Sequence, residues 1–295
     1  MLTPIEVLVP ADQTADALRA AGEVDGVYTA ASSDSSGGTT VVDVIPDAET
    51  VDSTSIDVVD DVRAAVESAT DGEVLVTGAG PVVEDYFGAV YDNFPYVLLL
   101  IAAVTFLLLV RTFRSVLLPL KAVLLNLVSL AAVFGAVTYF WQEGNGSQAL
   151  FGVSETGAIT FWLPVVIFAF LFGLSMDYEV FILARMREEY DATGSTSEAV
   201  VIGLGRTGRL VTSAALILFF AFSALASSPG TDIKVLGTAL GVGILIDATI
   251  VRALLVPALV SVLGRWNWWL PGWLAVVLRV APSPLVPARA DPPPR

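Results

Sequence analysis

Five long apolar runs follow one another between positions 94 and 263, and no other feature of the sequence constrains the fold as tightly. They lie at about 94–110, 116–140, 161–184, 209–228 and 235–263. A helix rises ~1.5 Å per residue, so roughly 20 apolar residues cross the ~30 Å hydrocarbon layer of a bilayer. That layer holds no water, so each crossing segment must satisfy its own backbone N–H and C=O groups, as a helix does. The first run is short, but Tyr86, Phe87 and Tyr91 just before it suit a membrane–water interface. A soluble bundle can contain helices this apolar, but not five in succession through loops this short. Only 15% of the residues are charged, against ~25% in ordinary soluble domains. The fold class expected is a membrane all-α bundle of five transmembrane helices, residues 94–264, preceded by a small α+β domain.

That first domain, residues 1–93, obeys different rules. Residues 1–95 hold 19 Asp and Glu but only two basic residues, Arg19 and Arg63, whereas the rest of the chain holds 11 acids and 13 bases. Such a split between halves marks two physical environments. Strands are expected at Ile5–Val9, Val24–Ala31, Thr39–Ile45 and Glu73–Thr77, with a Ser/Gly turn over Ser32–Gly38. One helix is expected over Thr14–Ala21. A second carries Ile56, Val59, Val62 and Val66 on one side and acids on the other. The order βαββαβ is that of the split, ferredoxin-like pattern. The acids read as a solvated surface, since no spacing among them suggests a cation site. Cysteine and histidine are absent, which removes thiolate chemistry, the usual metal ligands and the usual near-neutral proton shuttle.

Lys and Arg gather on the cytoplasmic side of membrane proteins. Here Arg111, Arg114 and Lys121 flank the first turn between apolar runs, and Arg185, Arg187, Arg206 and Arg209 flank the third, read as a loop over 185–209. Arg265 and Arg279 follow the last run. The intervening loops, 141–160 and 229–234, carry Glu143, Glu155, Asp232 and one base, Lys234. The acidic domain is therefore expected outside the cell membrane and the C-terminus in the cytoplasm. Export of that domain needs a signal, yet Met1–Pro10 has neither a positive nor an apolar signal region. The expectation is a piece of a larger protein or a truncated gene product. Trp266, Trp268, Trp269 and Trp273 fall on a segment, 265–281, expected as an interfacial helix. The Pro-rich tail 282–295 is expected to be disordered.

Charges inside the apolar runs are few and costly, roughly 2.5–3.5 kcal/mol at a helix centre. Asp177 stands in the run Gly173-Leu-Ser-Met-Asp-Tyr-Glu-Val-Phe181, about 12 Å along a helix from Arg185. Asp247 is more than three turns inside Lys234, with Arg252 about one and a half turns further on. A carboxylate withdrawn from water holds its proton to higher pH, so these two acids, with a base nearby, suit a proton relay. Tyr178 adds a hydrogen-bonding hydroxyl. Glu179 lies about 200° around the helix from Asp177 and faces either a polar cavity or the cytoplasmic surface. The plainer alternative is a structural ion pair between Asp247 and Arg252, and a structural polar contact at Asp177. Gly203-Leu-Gly205-Arg-Thr-Gly208 fits a dinucleotide-binding spacing but lacks the preceding strand such a site needs. Gly237 and Gly241 have the spacing of close helix packing. Asn145-Gly-Ser147 is a glycosylation sequon, relevant only in a host that glycosylates.

Four blocks in order resemble the MmpL family of the resistance–nodulation–division (RND) transporter superfamily: Phe113 to Asn126, Gly173 to Phe181 continuing to Tyr190, Leu245 to Arg252, and Gly264 to Pro271. The resemblance extends to about residue 275. It implies two similar halves per transporter, each with an extracytoplasmic porter domain and six helices, and it aligns this chain with the later half. It further implies export of lipids or other hydrophobic molecules driven by the proton-motive force, with no cofactor beyond that gradient. The family's coupling Asp–Tyr pair falls on Asp177 and Tyr178, and its essential acid and base on Asp247 and Arg252. The partners implied are membrane lipids, a hydrophobic substrate and an N-terminal half-transporter, with no role for nucleic acid. The alternative is a truncated, non-transporting remnant or a scaffold that pairs with another half-transporter. An intramembrane hydrolase is disfavoured by the lack of a nucleophile–base pair.

Overall fold

The computed structural model describes residues 3–48, 57–71 and 74–283. The chain divides into two compact units, Met1–Val97 and Leu98–Arg295.

The first unit runs β1 (Ile5–Pro10), α1 (Thr14–Gly22), β2 (Val27–Ser36), β3 (Thr39–Pro46), α2 (Asp57–Ala69), β4 (Leu75–Gly78) and α3 (Ala79–Tyr86). The strands form one sheet in the order β2-β3-β1-β4, antiparallel at every pairing. Alternate residues of a strand share a face, so Ile5, Val7 and Val9 of β1 and Val42 and Val44 of β3 turn to one side. There Ala17 and Ala21 of α1 and Val59, Val62 and Val66 of α2 cover them. Ile56 and Glu73 lie outside the described residues. The expected turn over Ser32–Gly38 is shorter than that: β2 continues to Ser36, and Gly37 and Gly38 alone reverse the chain at φ +62° and +88°. Two successive residues at positive φ match the twist of the flanking strands, so the ladder extends through a register shift between Ser32 and Asp34. Gly78 sits at φ +113°, and a Cβ there would lie 2.7 Å from the Pro4 carbonyl. The helix α3 was not anticipated. It is tied to α2 by Arg63, which donates to Asp60 at 2.6 Å and to Glu84 at 3.1 Å.

Among the described residues five helical spans are long and apolar enough to cross a membrane: 79–113, 117–142, 163–193, 196–225 and 231–268. Within them lie α4 (Phe94–Phe113), α5 (Leu117–Val137), α7 (Leu163–Thr193), α8 (Thr196–Leu225) and α9 (Thr231–Ile246), with a short α6 (Ser147–Phe151) between α5 and α7. The most apolar windows of α5, α7 and the span from α9 are about half buried (50%, 44% and 50%), against 11% for the spans holding α4 and α8. The first three are the inner helices, and the exposed Leu and Phe faces of the other two suit lipid or another protein surface.

The expected loop over 185–209 is instead helix. Only Gly194 and Ser195 separate α7 from α8; Gly194 caps α7 at φ +67°, and the Ser195 side chain accepts the Glu198 N–H at 3.3 Å. Apolarity marks where a helix meets lipid, whereas capping marks where it stops. The polar ends project together and are joined by an Arg206–Glu189 salt bridge.

The segment expected as one interfacial helix over 265–281 is two pieces, a 3-10 turn (Gly264–Trp268) and α11 (Gly272–Leu278). It folds across the basic ends of the helices. Trp268, 1% exposed, stacks on Tyr190 at 4.2 Å and donates from its indole to Thr196 at 3.0 Å. Arg187 donates to the Trp268 carbonyl and to Ser283, and Arg111 donates to the Leu278 carbonyl. Trp268 is thus a packing residue, while Trp266 and Trp273 remain exposed. From residue 284 the Pro-rich tail lies outside the described residues.

Candidate functional site

The fifth span changes its winding at the expected acid. From Asp247 to Leu255 it is π-helical, then continues as α10 (Val256–Leu263). On an α-helix residues five apart point about 140° away from each other. The wider π turn bonds residues five apart and brings Asp247 and Arg252 toward one face. Their salt bridge closes at 2.5 Å, with Asp247 5% and Arg252 3% exposed. The facing helix α7 supplies the remaining partners. The Ser175 hydroxyl donates to the other Asp247 oxygen at 2.9 Å, while Arg252 donates to the Ser175 carbonyl and to its hydroxyl oxygen. The guanidinium also lies 5.0 Å from the centre of the Tyr178 ring, near enough for a cation–π contact. A buried ion pair holds its charges at low cost only when further hydrogen bonds satisfy it, and Ser175 meets that requirement.

Asp247, Arg252 and Tyr178 therefore come together, while the other two expected residues separate. Glu179 is buried, 4% exposed, and the charges acting on it are Arg252, Asp247 and Lys121. Of the two alternatives for its side chain, the buried one is realised: with Lys121 of α5 it lines a cavity of about 10 Å³. Asp177 points the other way. It is exposed, on a strip of α7 with Gly173 and the exposed Phe181, and none of the cluster's hydrogen bonds or salt bridges reaches it.

Three polar residues of the site escaped the sequence reading: Ser175, Asn126 and Ser129. A second cavity of about 10 Å³ is lined by Asn126 and Ser129 of α5, Ser175 of α7 and Asp247. Asn126 also donates to the Phe172 carbonyl at 3.3 Å. Their signal was present, since Asn126 and Ser129 are three apart on a largely apolar helix and thus share a face. Gly203, Gly205 and Gly208 all lie inside α8, with no strand before them, so the nucleotide-loop geometry is not formed. Gly203 lets α8 approach Met186 of α7, and Gly243 lets α9 approach Leu171. Among the described residues no group of three or more acids gathers as a metal site would require.

The sequence profile of the MMPL family matches residues 9–285. Among relatives, the heme uptake protein MmpL11 of Mycobacterium tuberculosis is 40% identical over 210 residues, 70% of this chain and 21% of that protein. The membrane protein YdfJ of Bacillus subtilis is 36% identical over 270 residues, 91% of this chain and 37% of its own length. The trehalose monomycolate exporter MmpL3 of Mycolicibacterium smegmatis is 37% identical over 204 residues, 68% of this chain and 20% of its own. The chain thus spans about a fifth to little more than a third of these relatives.

Proposed function

The chain belongs to the MMPL family, and from that premise we propose that it is the later half-module of a proton-motive-force-driven transporter exporting lipids or other hydrophobic molecules. The observation that carries the proton-coupled reading is the Asp247–Arg252 pair. A charge pair this deep in an apolar bundle is costly to keep, and its carboxylate borders a cavity the size of one water. In this reading Asp247 binds and releases a proton, Arg252 offsets its charge, and the π-helical segment that holds both changes its packing as that charge comes and goes. Lipids suit the substrate side, since relatives are named for trehalose monomycolate and for mycolic acid-containing lipids, although another is named for heme.

The half-module reading rests on Asp177. An exposed carboxylate on the apolar helix α7 is unfavourable against lipid and calls for a polar surface opposite. A companion half carrying its own Asp–Tyr pair, as the family resemblance implies, supplies one. The first unit, with its β2-β3-β1-β4 order, is then a ferredoxin-like porter domain outside the membrane. The ends bearing Arg111, Arg185 and Arg265 are cytoplasmic.

The test uses this chain assembled with its companion half in vesicles under an imposed pH gradient. Asp177→Asn keeps shape but removes the carboxylate that faces the companion half, so assembly is expected to persist while lipid export stops at every pH. Tyr178→Phe is expected to slow export without abolishing it. Export by Asp177→Asn at the unaltered rate and pH dependence would overturn the proposal, and a complex with no export even before substitution would favour the non-transporting scaffold.

A further inference from the structure

The Asp247–Arg252 pair is not the only ionisable group in the apolar interior. One turn and more toward the basic end, Glu179 of α7 and Lys121 of α5 line the other small cavity, with Leu118, Leu183 and Val256. Glu179 is 4% exposed and Lys121 is half-buried. Lys121 is anchored: its ammonium donates to the Asn267 side-chain oxygen. Asn267 is itself wholly buried, donating to the Val260 and Gly264 carbonyls at 2.8 and 2.7 Å. One hydrogen bond thus holds the ammonium on Asn267, two more hold Asn267, and Lys121 and Glu179 share the wall of one cavity. The space they share is about 10 Å³, and Glu179 and Lys121 are the ionisable residues that line it. The cavity lined by Asn126, Ser129, Ser175 and Asp247 lies toward the other end, and Ser175, which bonds both members of the central pair, stands one helical turn from Glu179 on α7.

We propose that Glu179 and Lys121 form a second station of the proton path, between the Asp247–Arg252 pair and the basic end of the bundle. Glu179 takes up the proton that Asp247 releases; the O–H bond breaks at Asp247, which returns to its carboxylate beside Arg252, and forms at Glu179. Glu179 then passes the proton to water, which carries it out at the basic end as hydronium. Lys121 stays protonated throughout and offsets the charge left on Glu179. The groups facing Glu179 are Lys121 from α5 and Asp247 and Arg252 from the π-helical segment. The inference rests on the proton-coupled reading above, and the following measurements separate the two.

Infrared spectra of this chain in phosphatidylcholine–phosphatidylglycerol vesicles, titrated with pH, report each carboxylic acid by its C=O band. Glu179→Gln identifies the Glu179 band by removing it. Lys121→Met withdraws a neighbouring positive charge, so that band is expected to persist to higher pH by about one unit or more, and Lys121→Arg to restore the original midpoint. A Glu179 midpoint that ignores Lys121→Met overturns the station. In the assembled transporter, Asp247→Asn is expected to abolish export. Glu179→Gln is expected to slow it tenfold or more and flatten its pH profile, a change a purely structural role would not produce. If Asp247→Asn abolishes export while Glu179→Gln and Lys121→Met keep the original pH profile, the station alone is refuted. If Asp247→Asn exports normally, the proton-coupled reading falls, and the station falls with it.

Discussion

Breaking the Asp247–Arg252 pair from one side should cost far more than removing it whole. Arg252→Met deletes the donors to Asp247 and to Ser175 and the cation beside Tyr178, leaving the carboxylate with the Ser175 hydroxyl at 2.9 Å as its remaining partner. With Asp247 5% and Arg252 3% exposed, each single substitution leaves an uncompensated buried charge, a loss of about 3–5 kcal/mol. Asp247→Leu is expected toward the lower end, because the guanidinium keeps both Ser175 acceptors. The double variant Asp247→Leu/Arg252→Met buries no charge and strands only Ser175, whose neutral groups cost about 1–3 kcal/mol when unsatisfied. It is expected to lie within about 2 kcal/mol of the unaltered chain, so the double-mutant cycle should show a coupling of several kcal/mol. Reversible unfolding in mixed micelles with rising dodecyl sulfate, followed by the fluorescence of the six tryptophans, measures all four states. A double variant as unstable as the two singles combined, or single losses below about 1 kcal/mol, would refute the argument that charge compensation holds the π-helical segment.

Three further outcomes follow from the packing. Gly237→Ala would set a Cβ 2.5 Å from the Ala226 nitrogen of the facing backbone, whereas Gly241→Ala meets Phe219 at an ordinary 3.7 Å; thermal unfolding should show the first losing about 1–3 kcal/mol and the second nearly neutral. Asn267→Ala removes two donors and leaves the Lys121 ammonium without its acceptor, so a loss of at least about 2 kcal/mol is expected in the same assay, with Asn267→Gln unable to restore it. The chain has no cysteine, so single cysteines report orientation: in intact cells holding the assembled transporter, Ser35→Cys should react with a membrane-impermeant maleimide and Thr193→Cys only after permeabilisation.

Run length alone determined the number of helices able to cross a membrane, because lipid demands helices of fixed minimum length and the apolar stretches supply them. It located Asp247 and Arg252 for the same reason, since a charge among twenty apolar residues stands out. In the first unit, alternation in β1 and β3 and the spacing of Val59, Val62 and Val66 were legible because one face meets water and the other does not. Inside the membrane that contrast vanishes. A helix apolar all round carries no periodic signal, so the sequence did not say which side of α7 faces its neighbours. Asp177 and Glu179 stand two residues apart and point to opposite sides; packing against α5 and α9 turned Glu179 inward toward Lys121 and left Asp177 exposed. Nor did the sequence announce the π winding that aligns Asp247 with Arg252, or the burial of Trp268 against Tyr190. Each depends on contacts between segments distant along the chain, and only the tertiary structure brings those segments together.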